Sequence, residues 1–153
     1  VMVSPSCPYP HGLTPCVMNS ILSIAASGMA AAATRLQISA ENVANAKSDG
    51  PLPTAGAAVQ AQYPAAYTAQ QVDQVAAPGG GTSAAVVAVQ PATIAAYAPA
   101  ALYADKNGEV AAPNVDPANE AMQQATASYT FAMNVEVMRV YSQMMKTLLD
   151  VQA

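Results

Sequence analysis

From Asn19 to Lys47 one spacing governs the chain. Leu22, Ala25, Met29, Ala32, Leu36, Ser39, Val43 and Ala46 recur at alternating steps of three and four. That is the a/d seam of a heptad repeat, which predicts a helix with another helix as its partner. Asn19 or Ser20 supplies the N-cap. Ser48-Asp49-Gly50-Pro51 closes the segment, because Gly suits the residue after a helix and Pro cannot continue one. Gly28 sits inside this pattern and costs roughly 1 kcal/mol relative to Ala. A close approach by another helix would explain it.

A second helical pattern fills the other end. Asp116 is a strong N-cap and Pro117 suits the first helical position. The helix is expected to run from Pro117 to near Ala153, on the order of 50 Å at 1.5 Å per residue. Phe131, Val135, Met138, Ser142, Met145 and Leu149 form one seam. Val137, Val140, Met144, Leu148 and Val151 form a second. Two apolar stripes imply more than one neighbouring helix. Glu136 with Arg139, and Lys146 with Asp150, are expected surface pairs.

Between the helices, prolines and glycines break residues 51–112 into short pieces. Residues 65–75 and 83–90 are candidate strands around the loop Pro78-Gly79-Gly80-Gly81. Residues 97–103 and 109–111 are a candidate second hairpin around Asn107-Gly108, a pair favoured in type I′ turns. A largely disordered linker is the alternative, because Ala is a poor strand former. Residues 1–17 carry Pro5, Pro8, Pro10, Gly12 and Pro15 without periodicity and read as irregular chain. Met18 is the expected biological start.

Composition excludes several functions. Apolar residues reach 53%, yet there is one Phe and no Trp. Burial is worth about 25 cal/mol per Å² of apolar surface, and Ala supplies little area, so burial is expected to be completed by neighbouring copies. The five basic residues are scattered, which leaves nucleic acid no electrostatic footprint. No apolar run is expected to approach the ~18–20 residues of a membrane span. No basic residue precedes Ile21–Ala33, so a cleaved signal peptide is not expected. The only His is His11. Metal binding by His11, Cys7 and Cys16 would lack the usual fourth ligand. Without a His in the main body no Ser/His/Asp system can be built. Gly79-Gly80-Gly81 is followed by no Lys, and Asp105-Lys106-Asn107-Gly108 reads as a turn rather than a calcium loop. Asp116 and Glu120 read as capping and dipole-stabilising carboxylates. No catalytic residue, cofactor or metal is expected.

Ser27-Gly28-Met29-Ala30-Ala31, Thr34-Arg35-Leu36 and Ala40-Glu41-Asn42-Val43-Ala44-Asn45 together resemble the N-terminal signature of the bacterial flagellar axial family. The usual Thr-Gly-Tyr end of that signature is replaced by Ser48-Asp49-Gly50-Pro51. Gly108-Glu109-Val110, Pro113-Asn114-Val115-Asp116, Ala127-Ser128-Tyr129, Asn134-Val135-Glu136-Val137 and Met144-Met145-Lys146-Thr147-Leu148 are similar to the proximal-rod C branch of the basal-body rod proteins, without the arginine expected before Tyr129. The two resemblances cover roughly half the chain.

The resemblance implies a mainly α fold. Long N- and C-terminal helices pair as a coiled-coil-like hairpin around a small, β-prone, partly irregular insert. The expected divisions are 1–17 (extension), 18–50 (N-terminal rod helix), 51–112 (insert) and 113–153 (C-terminal rod helix). The assembly seam is Leu22, Ala25, Met29, Ala32, Leu36, Val43, Phe131, Val135, Met138, Met145 and Leu149. The motif residues are Ser27, Gly28, Arg35, Leu36, Asn42, Ala44, Asn45, Pro113, Asn114, Val115, Asp116, Asn134 and Glu136. Gln37, Asn42, Asn45 and Asn134 are the polar groups placed to fix helix register. The implied function is a structural subunit of the periplasm-spanning rod, ordering on assembly. Its partners would be copies of itself, other rod subunits, inner-membrane ring components and the flagellar type III export apparatus, with no membrane insertion. Another rod or hook-associated role, or a secreted coiled-coil module of unrelated origin, are the alternatives.

Overall fold

The computed structural model describes residues 15–53 and 57–152. Helix α1 spans Pro15–Ala44, α2 Ala57–Gln62 and α3 Pro117–Gln152. Strands β1 (Gln70–Ala76) and β2 (Thr82–Ala88) form one antiparallel hairpin, and β3 (Thr93–Tyr97) and β4 (Glu109–Pro113) a second.

Helix α1 starts earlier than expected, at Pro15, a residue suited to the first turn of a helix. Residues 15–17 are therefore helical, while residues 1–14, with Cys7 and His11, lie outside the described residues. The helix ends in a turn tightened by Asn45, whose side-chain amide donates to the Glu41 carbonyl (2.9 Å) while its Oδ1 accepts from Ser48 Oγ (3.2 Å). Ser20–Ala44 is long enough, at a mean hydropathy of 1.3, to cross a bilayer by length and composition. That corrects the sequence expectation. Alanine lifts the average without a run of large apolar side chains, and Arg35 and Glu41 are the only charged residues in the span.

Helix α3 starts as its sequence dictates: Asp116 Oδ1 accepts from the Ala118 amide at 2.9 Å, the N-cap bond. It lies antiparallel against α1, since Ser39 meets Glu120 and Gly28 meets Asn134. The core between them is built from small residues. Ala25, Ala32 and Ala127 are buried. A Cβ on Gly28 would lie 2.9 Å from the Asn134 side chain, so the helical glycine serves a side chain of α3.

The insert is ordered into two hairpins, as the strand reading expected, and into helix α2, which the sequence did not announce. The first hairpin matches its expected loop, with Gly79, Gly80 and Gly81 all at positive φ. The second differs. Its strands are joined by residues 98–108 and not by a two-residue type I′ turn, which would need positive φ at both central positions. Only Gly108 has it there. Asp105 organises the connection, its Oδ1 accepting from the amides of Asn107 and Glu109 at 2.8 Å. Asp105 to Gly108 is thus a turn. Val110 and Ala111 of β4 are buried, and Ala111 exchanges two 2.9 Å backbone bonds with Gly50. Gly50 is buried against the backbone of Pro64, Ala65 and Ala66, where no Cβ fits. The Ser48-Asp49-Gly50-Pro51 exit thus places a glycine at a close backbone crossing.

Candidate functional site

The strongest polar cluster lies where α1, α3 and β1 converge. Asn42 is 1% exposed and makes four hydrogen bonds. Its Nδ2 donates to the Gln70 carbonyl (2.7 Å) and to Glu120 Oε1 (2.8 Å). Its Oδ1 accepts from the Gln70 amide and from Tyr67 Oη, both at 3.1 Å. One turn earlier, buried Ser39 donates to the Glu120 backbone carbonyl at 2.9 Å. A primary amide offers two donors and two acceptor sites, so Asn42 is fully used. A satisfied buried node of this kind fixes one arrangement of its neighbours. Burial raises the Tyr67 phenol above its ordinary pKa, with the Glu41 and Glu120 carboxylates adding to it. The phenol therefore stays protonated as the donor to Asn42.

Beside the node, a cleft of about 320 Å³ is lined by Arg35, Gln70, Asp73, Asn114, Asp116 and Glu120 among others. Its walls are amides and mixed charges, with no His or Cys and no group of three metal-ligating side chains among the described residues. It offers no nucleophile and base pair of the kind acyl transfer needs.

The expected seam residues separate into two sets. Ala25 and Ala32 are buried in α1, and Leu22 and Met29 are half-buried. Met138 and Met145 are half-buried on α3. Leu36, Val43, Phe131, Val135 and Leu149 are exposed. The physical reason is size: alanine, serine and glycine between α1 and α3 let the axes approach, leaving the larger seam side chains on the rim. The stripe Val137, Val140, Met144, Leu148 and Val151 is also exposed, and Met133, Tyr129 and Met122 extend it toward the helix start.

The motif residues take definite places. Ser27 binds the first hairpin, accepting from the Thr82 amide at 3.2 Å. Gly28 lies under Asn134, and Arg35 lines the cleft. Asn114 ties β4 to the preceding loop, its amide donating to the Ala92 carbonyl (3.0 Å) and its Nδ2 to that of Pro91 (2.8 Å). Pro113 is buried opposite Thr93, and the Val115 amide turns back to the Pro113 carbonyl. Ala44 closes α1. Glu136 pairs with Arg139 at 2.6 Å, while Lys146 and Asp150 form no ion pair. Of the four polar groups expected to fix register, only Asn42 bridges elements. Gln37 and Asn134 bond within their own helices, and Asn45 bonds back to the last turn of α1. Glu120 lies in the first turn of α3, as expected of a dipole partner, and is in addition buried at 8% exposure. Its partner lies 78 residues away, so no local pattern could disclose it.

Known proteins give this geometry a family. Residues 106–151 match the family model described as flagellar basal body rod FlgEFG protein C-terminal. The chain is 39% identical over 134 residues to the flagellar basal-body rod protein FlgC of Salmonella typhimurium, covering 84% of this chain and 94% of that one. It is 38% identical over 136 residues to the proteins of the same description from Escherichia coli O157:H7 and Yersinia enterocolitica, with the same coverage. The chain belongs to the flagellar basal-body rod protein family. The family is structural rather than enzymatic.

Proposed function

We propose that this chain is a proximal-rod subunit that polymerises through the outer faces of its two long helices. Its place is the rod of the flagellar basal body. The observation that carries the polymerisation is the run of large apolar side chains left open along α3, from Phe131 and Met133 to Val151 at 81% exposure. A helix with apolar surface on more than one side satisfies it against further helices. The residues expected as a seam serve two roles in this reading. Ala25, Ala32, Met138 and Met145 hold the subunit's own helices together. Leu36, Val43, Phe131, Val135 and Leu149 meet neighbouring subunits.

Residues 18–50 and 113–153 form the wall of the shaft and residues 51–112 its outer decoration. The partners are other rod subunits and further copies of this chain. Its lower end meets inner-membrane ring components, and the flagellar type III apparatus exports it. Deleting the gene tests the reading. Cells without the protein are expected to be non-motile, with basal bodies arrested before the hook. A deletion strain that is fully flagellated and motile overturns it.

A further inference from the structure

The first hairpin lies along α1 and is fastened unequally at its two ends. At its base, the Gln70 amide and carbonyl both bind the buried Asn42 side chain, and the Val89 amide extends the ladder to the Ala69 carbonyl at 2.9 Å. At its tip one bond reaches α1, from the Thr82 amide to Ser27 Oγ at 3.2 Å. That hydroxyl already donates to the Ile24 carbonyl at 2.7 Å. Fifteen residues separate Ser27 from Asn42, about 22 Å along a helix. The seven residues of β1 reach about 23 Å, so strand and helix match in length.

Beneath the hairpin runs a separate apolar ridge. Ile24, Ala31 and Ile38 recur every seven residues on one side of α1. Gly80 and Gly81 lie over Ile24, and Ile38 lines the same cleft as Val72 of β1. Ala31 is 3% exposed. Glycine is required at the tip. A Cβ on Gly81 would run into Ser27 Oγ, whereas one on Gly79 meets nothing within 4 Å. Both glycines hold nearly the same positive φ, 90° and 93°.

We infer that the β1–β2 hairpin is a flap, hinged at Asn42 and latched at its tip by Ser27, whose opening uncovers the buried Ala31 and widens the exposure of Ile24, which is 42% exposed with the flap closed. The base is held to α1 by two bonds to the fully used Asn42 side chain and the tip by one bond to a shared hydroxyl, so the tip opens first. This reading stands on the hairpin geometry alone and is independent of how the subunit polymerises.

Hydrogen exchange on the full-length chain tests it. In the wild type, the tip amides of Ala77 and Thr82 are expected to exchange at least tenfold faster than the base amides of Gln70 and Val89. Ser27→Ala removes one shared hydrogen bond and should speed the tip amides roughly two- to tenfold, leaving the base unchanged. Gly79→Ala and Gly81→Ala carry the same backbone strain, so the difference between them isolates the latch. Gly81→Ala should open the tip further, and adding Ser27→Ala should recover part of that loss, because the clashing hydroxyl is gone. Equal protection at tip and base in the wild type overturns the flap, as does absence of protection at both. A tip indifferent to Ser27→Ala, or equal effects from the two glycine variants, also overturns it. Circular dichroism confirms that the helices persist in each variant.

Discussion

The two ends of the helix pair are built on opposite principles. Around Asn42 the packing is polar and closed, with Ser39, Asn42 and Glu120 buried and each bonded to a different element. Along the far half of α3 it is apolar and open, with Val140, Met144, Leu148 and Leu149 all exposed. A soluble domain normally shows the reverse, since buried polar groups require partners and exposed apolar groups carry a hydration cost. The difference teaches where the subunit is complete. The node end fixes the chain's own architecture, and the far end is a surface to be covered.

That contrast makes unequal demands on mutation. Asn42→Asp has the largest expected effect on stability. It replaces a donor with a carboxylate facing Glu120, and burying a charge without a partner costs about 3–5 kcal/mol. Asn42→Ala should cost about 1–3 kcal/mol by leaving the Glu120, Gln70 and Tyr67 groups short of partners. Urea denaturation of the purified chain measures both. A loss under about 0.5 kcal/mol for either would break the claim that the node is the structural anchor. Gly50→Ala comes next, at about 1–3 kcal/mol, because the facing atoms belong to backbone and cannot rotate away.

Smaller effects sharpen the comparison through pH. The folded state raises the Tyr67 pKa, so its contribution is fully present below the unfolded value near ~10 and is lost as pH rises toward the folded one. Stability should fall in that alkaline window, and Tyr67→Phe should flatten the fall while costing about 1 kcal/mol at neutral pH for the lost bond to Asn42. Glu136 behaves oppositely. Its hydrogen bond to Arg139 lowers the carboxyl pKa, so any contribution exists above the unfolded value and vanishes as pH falls through the folded one. Both side chains are exposed, so this acid-side effect should be the smallest, visible as a slight shift of the acid midpoint in Glu136→Gln.

The sequence exposed the helices well and their contacts poorly. Asp116-Pro117 marked the start of α3 because capping is a local affair between a side chain and amides two residues away. Pro78-Gly79-Gly80-Gly81 marked the first hairpin because positive φ demands glycine. The heptad in α1 marked a helical interface but not which side chains enter it. Steps of three and four are shared by Ala25, Ala32 and Ser39, which are buried, and by Leu36 and Val43, which are not. Alanine in a seam signals a close approach, and close approach pushes larger neighbours outward. The node was unreadable for a different reason. Asn42 and Glu120 are ordinary helix residues until folding brings positions 78 apart in sequence into contact. The motif resemblance singled out Asn42 without giving its reason.

The central claim is that the open face of α3 is used by other subunits and not by the fold. Met144→Glu with Leu148→Glu tests it most directly, since both side chains are at least half exposed. The purified double variant should melt within about 0.5 kcal/mol of wild type, as surface substitutions do. Electron microscopy of basal bodies from cells carrying only that variant should show no completed rod. Complete rods and normal swimming, or a purified variant that fails to fold, would contradict the account.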